Sequence, residues 1–77
     1  MEMILPDRDP HEAKVSRILK SQIKLAGVSY AELAKRLTDN GFPTKEPSIR
    51  NKLSRGKFSA AFLVQCLEAI EVSELSI

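Results

Sequence analysis

Through most of this chain the apolar residues recur at spacings of three and four, a periodicity that leaves α-helices as the elements it can build. Val15, Ile18, Leu19, Ile23 and Ala26 mark one stripe and predict a helix from about His11 to Ala26, ended by Gly27 in the left-handed conformation. Leu33, Ala34 and Leu37 mark a second helix, running to about Thr38. Its start reads Ser29-x-x-Glu32, a capping box in which each side chain accepts the other residue's backbone N–H, with Val28 and Leu33 spaced as a hydrophobic staple. Ile49 and Leu53 mark a third helix, entered near Pro47 with Glu46 at the cap and closed by Gly56. A fourth runs from the cap Ser59 to about Ile70, with Phe58 and Leu63 as a second staple. Apolar residues surround this last helix almost completely, which predicts a central, buried element. Between the second and third helices, Asn40-Gly41 and Pro43 break the pattern, so residues 39–45 read as a turn or loop whose Phe42 is expected to plug the core.

Seventy-seven residues make one domain. Residues 1–10 read as an arm, whose apolar Met3-Ile4-Leu5 is available to the body or to a partner chain, and residues 11–77 as the helical body. The tail, Val72, Leu75 and Ile77, adds a last turn or an extended segment. A chain this short buries only about 60% of its unfolded surface, which leaves little room for an enclosed active site. With 43% hydrophobic residues and few Gly or Pro it is nonetheless a globular sequence. The single cysteine, Cys66, forbids an internal disulfide and suits a reducing compartment. No apolar run approaches the roughly 20 residues of a membrane span, and the opening Met-Glu-Met-Ile-Leu-Pro lacks the pattern of a secretion signal. A cytoplasmic location is therefore expected.

The net charge of +2 hides a segregation. Residues 1–13 and 58–77 are each net −3, while residues 14–57 hold eleven of the twelve Lys and Arg and are net +8. A polyanion-binding face needs charge concentrated in this way. The third helix fits such a face. Asn51 suits a bidentate contact to adenine, and Arg50 or Arg55 one to guanine. Ser48 and Ser54 suit a base or a phosphate, and Lys45, Lys52 and Lys57 suit phosphates. Lys35 and Arg36 on the second helix are placed to clamp the flanking backbone. Tyr30 suits either a phosphate contact or the edge of the core. A solvated basic helix remains the simpler account of the charge run alone. Nothing in the sequence assembles an acid, a base and a nucleophile. His11 is the only histidine, Cys66 sits inside the most apolar helix, no Cys/His spacing fits zinc, and no Gly-rich loop fits a phosphate. No enzyme activity, cofactor or metal is expected.

The stretch from Gly27 to Gly56 resembles the helix-turn-helix of the lambda-repressor-like (phage repressor and Cro-like) superfamily. The likeness is carried by Gly27-Val28-Ser29 leading into Glu32-Leu33-Ala34, by Ser54-Arg55-Gly56, and by Leu67-Glu68-Ala69-Ile70 in the place of that superfamily's next helix. Residues 15–75 also resemble a small bacterial family catalogued only as a domain of unknown function. That likeness rests on Gly-Val-Ser-Tyr-Ala-Glu-Leu-Ala, Ile-Arg-Asn-Lys-Leu-Ser-Arg-Gly-Lys-Phe and Ala-Ala-Phe-Leu-Val-Gln-Cys-Leu. The resemblance implies an all-α, compact four- to five-helix lambda-repressor-like helix-turn-helix domain. The chain departs from the pattern at Asp39 to Lys45, where about half a dozen extra residues lengthen the turn into a wing-like loop or a longer helix end.

The leading expectation is thus a DNA-binding regulator that reads the major groove of double-stranded DNA with the helix at about 47–55, alone or as a homodimer. The alternatives are a protein-interaction module that kept the fold without DNA binding and an RNA binder. The few aromatic residues, mostly claimed by the core, argue against the last.

Overall fold

The computed structural model describes residues 9–75, and the expectations for Met3-Ile4-Leu5 and Ile77 fall outside that range. Four helices follow one another: α1 (Pro10–Leu25), α2 (Tyr30–Asp39), α3 (Glu46–Arg55) and α4 (Ala60–Ala69). Among the described residues there is no strand, so the domain is all-α, as the periodicity requires. α3 packs on both α1 and α2, and α4 packs on both.

Local chemistry sets the helix starts. Asp9 caps α1, its carboxylate accepting the His11 N–H at 2.7 Å while Glu12 accepts the Asp9 N–H at 3.3 Å. This is a full capping box, and the bond from the His11 amide holds the Asp9 carboxyl below its ordinary pKa. At α2 the box forms only by half. Ser29 Oγ accepts the Glu32 N–H at 3.0 Å, but the Glu32 carboxylate turns away to Arg36 Nε at 3.1 Å. Ser59 caps α4 by accepting the Phe62 N–H at 3.0 Å. α3 begins one residue earlier than its proline suggests. Lys45 is the cap position, makes no side-chain cap bond, and leaves Glu46 inside the first turn.

The core is one cluster in which Leu19, Leu33, Leu37, Ile49, Leu53 and Cys66 are all but completely buried. The buried face of α1 is Ser16, Leu19 and Ile23, rotated from the expected stripe: Val15 and Ile18 are half-buried at its edge and Ala26 is exposed. A serine is tolerated at the centre because its hydroxyl donates to the Leu53 carbonyl in the last turn of α3. That carbonyl has no partner within its own helix end.

Two further expectations are corrected. Phe42 does not plug the core; it is 40% exposed. Its N–H is held by the Leu37 carbonyl in the bond that closes α2, which carries the residue past the helix end, and Leu37, Ile49 and Leu53 fill the space between α2 and α3. Nor is α4 buried all round. Phe62, Cys66 and Ala69 face inward, while Val64 is 50% exposed and Ala60 and Ala61 lie open. The reason is that α4 packs on one side only, against α1 and α2.

The lengthened turn is neither a wing nor a long helix extension. α2 gains only Asp39, and residues 40–45 fold back on its last turn. Thr38 Oγ1 accepts the Thr44 N–H at 3.1 Å and donates to the Thr44 carbonyl at 3.2 Å, clamping the loop at both ends.

Candidate functional site

α3 is anchored from behind. Ile49 and Leu53 are buried against α1 and α2, and Ser16 ties the Leu53 carbonyl to α1. Gly56 completes the anchorage. It sits at φ +71° and is buried, and a Cβ there would stand 2.8 Å from the Glu12 backbone oxygen. Only glycine lets the end of α3 press so closely on the first turn of α1. With that side fixed, the helical repeat turns Pro47, Arg50, Asn51, Ser54 and Arg55 outward on one exposed face, spaced three and four apart.

The sequence-chosen residues therefore separate into groups. Arg50, Asn51, Ser54 and Arg55 share the outward face. Lys45 stands exposed at its N-terminal end, and Lys57 just beyond its C-terminal end. Ser48 and Lys52 are half-buried on the flank, and the Lys52 ammonium lies over the Phe62 ring at 4.6 Å. Lys35 and Arg36 lie on α2 and make local bonds. Lys35 pairs with Asp39 at 3.4 Å. Arg36 is half-buried, pairs with Glu32, and donates to the Ala69 carbonyl at 3.1 Å, which fastens α2 to the end of α4.

Acids temper the face. Arg50 is ion-paired with Glu46, one helical turn away, and Lys57 with Glu12 at 3.3 Å. Both pairs are open to solvent, where such contacts contribute about 0–1 kcal/mol and exchange readily for another anion. Lys45 and Arg55 make no ion pair with any described residue.

The structure also adds residues that the sequence argument did not select. The Arg50 guanidinium stacks over Tyr30 at 5.2 Å, and Tyr30 with Ser29 lines a shallow depression shared with Lys20 and Lys24 of α1. Two more cations thus stand beside the α3 face. Lys20 and Lys24 are four apart on the polar side of α1, which periodicity reveals. Only the packing of α1 on α3 shows which way that side looks.

Cys66 does not contribute a nucleophile. It is fully buried, and burial pushes its thiol up to about 12, with Lys52 opposing weakly. Among the described residues no group of three or more His, Cys, Asp or Glu is placed to hold a metal ion, and no helix is long and apolar enough to cross a membrane.

Residues 11–75 match the model of a family described as a domain of unknown function, DUF6471. No curated protein and no solved structure matches the chain.

Proposed function

The chain belongs to the DUF6471 family, whose description assigns no activity, and we propose from the site itself that it is a non-enzymatic double-stranded DNA-binding module of helix-turn-helix type. α3 lies along the major groove, and α2 with its flanking loop braces on the phosphate backbone. The observation that carries this reading is the outward face of α3. Arg50, Asn51, Ser54 and Arg55 project from one rigid, back-anchored helix, and these side-chain types make base-edge contacts. Arg50 and Asn51 stand at the middle of the helix, nearer than Ser54 and Arg55 to the N-terminal end that reaches base edges in such docking. Lys45 and Lys57 flank the face at its two ends, and Lys20 and Lys24 extend the positive surface beside Tyr30. The module acts by occupying a site, as a transcriptional regulator does.

The test is fluorescence anisotropy with duplex DNA at two salt concentrations. Four phosphate contacts give a log–log salt slope of about −3.6, roughly a hundredfold loss of affinity between 50 and 200 mM salt. The double variant Arg50→Ala/Asn51→Ala removes sequence preference and leaves folding intact, since both residues are exposed. Lys45→Ala weakens binding evenly across sequences and flattens the slope by about one unit. Unchanged binding in the double variant refutes α3 as the reading element.

One observation favours a second reading, a protein-interaction module that retained the fold. Lys35, Arg36, Arg50 and Lys57 all have acidic partners within the chain, which lowers the field a polyanion would feel. Absence of binding at both salt concentrations selects that reading.

A further inference from the structure

We propose that Arg50 is the guanine-reading residue of the α3 face, and that Tyr30 and Glu46 are positioning residues that hold its guanidinium ready for one base edge. This assignment rests on the double-stranded DNA reading of the same face and deepens it, because it chooses between Arg50 and Arg55, two arginines that the sequence leaves equivalent. They differ in what touches them. The Arg50 guanidinium stacks over the Tyr30 ring at 5.2 Å, and its Nη2 donates to the Glu46 carboxylate one helical turn back. Arg55 makes neither an ion pair nor a ring contact with any described residue.

The two contacts hold Arg50 without covering its reading edge. A guanidinium is flat, and its donors lie in its plane. Tyr30 takes the face and Glu46 takes a hydrogen of Nη2, so the remaining in-plane donors are left for the O6 and N7 acceptors of guanine. The Arg50 side chain is accordingly still 62% exposed. Both holders are themselves fixed. Tyr30 opens α2 with its ring packed against the core, and Glu46 lies half-buried in the first turn of α3. A long side chain that is already ordered loses less freedom on binding.

Charge favours a base over a phosphate as the target of Arg50. With Glu46 beside it, Arg50 belongs to a nearly neutral pair, and the carboxylate repels an approaching phosphate. A guanine edge carries no net charge and meets no such repulsion. Arg55 keeps its full charge, which suits general attraction to the phosphate backbone.

The experiment starts from a duplex that the wild-type chain selects out of a random-sequence pool. Each guanine in it is replaced in turn by 7-deazaguanine, which keeps base pairing and lacks the N7 acceptor. The expected result is one guanine whose replacement weakens the wild type about tenfold, weakens Arg55→Ala equally, and leaves Arg50→Ala unaffected. Tyr30→Phe keeps this guanine dependence because it keeps the ring, and Tyr30→Leu reduces it. Glu46→Ala separates positioning from support of the fold. It frees Arg50 to turn to a phosphate, so affinity for random-sequence duplex rises and the salt slope steepens by about one unit, while guanine dependence falls. Glu46 lies outside the core, so this variant is informative even if Tyr30→Leu unfolds. Without DNA, nitrogen-15 relaxation at Arg50 Nε finds an ordered side chain in the wild type and in Tyr30→Phe, and a mobile one in Tyr30→Leu. Guanine dependence that survives Arg50→Ala, or that disappears in Arg55→Ala, overturns the assignment and leaves the DNA reading standing. So does Glu46→Ala losing affinity and preference together, or a mobile Arg50 Nε in the wild type. A wild-type chain that binds no duplex overturns the DNA reading and this assignment with it.

Discussion

Gly56→Ala tests the contact that fixes α3, and the molecule contains its own control. Gly27 and Gly56 both sit at φ +71°, but a Cβ at Gly27 meets nothing within 4 Å, whereas at Gly56 it stands 2.8 Å from the Glu12 oxygen and 3.1 Å from the Glu12 carbonyl carbon. Placing alanine in the left-handed region costs about 1–2 kcal/mol at either site. Loss of glycine's freedom in the unfolded chain returns about 0.4–1 kcal/mol. Gly27→Ala should therefore destabilise by about 1 kcal/mol. At Gly56 the opposing atoms are backbone and cannot swing aside, so α3 and α1 must separate, which adds about 1–3 kcal/mol of overpacking. Gly56→Ala should cost about 2–4 kcal/mol in all. Urea unfolding of the two variants, compared at equal slope, isolates the contact as their difference. In a domain of this size each kcal/mol also lowers Tm by about 4–8 °C. Equal destabilisation by the two substitutions would mean that α3 does not press on α1 and that Gly56 does not anchor the outward face.

Other perturbations probe other joints. Ser16→Ala deletes the hydroxyl that satisfies the buried Leu53 carbonyl, and should cost about 1–3 kcal/mol in urea unfolding despite alanine's better helix propensity; a neutral or stabilising result would show that the carbonyl finds another partner. Glu71 occupies the left-handed position after α4, at φ +62°, where the Val72 N–H closes on the Leu67 carbonyl. Glu71→Gly relieves about 1–2 kcal/mol of strain against up to about 1 kcal/mol of added chain entropy, so a rise in Tm is expected and a fall would contradict the assigned geometry. Cys66, with its thiol pushed up to about 12 by burial, should react with a thiol reagent at pH 8 only as fast as the protein opens. Its contribution to stability is intact below the ordinary thiol pKa and is lost as pH rises above it, because the unfolded chain ionises first. Labelling of the native protein at the rate of a free thiol would place Cys66 outside the core.

Element types and most element ends are legible in the order of residues alone. Spacings of three and four made four helices, while Ser29, Ser59, Gly27 and Gly56 placed boundaries that the structure keeps, because caps and left-handed closures are local chemistry confined to one helical turn. The same order determines the outward face of α3, since Ile49 and Leu53 can point inward only if Arg50, Asn51, Ser54 and Arg55 point out. What tertiary packing alone decided is where competing local options were resolved. Glu32 had two partners within reach, the Ser29 amide and Arg36, and chose the arginine, whose guanidinium also holds the distant Ala69 carbonyl. Ser16, a polar residue outside the expected stripe, joins the core because α3 brings a carbonyl to it across 37 positions of sequence. Phe42 and Val64 looked like core by composition, but a residue's burial depends on whether another element arrives to cover it. Periodicity along one helix carries no information about how many neighbours that helix will have, and that count left one side of α4 open.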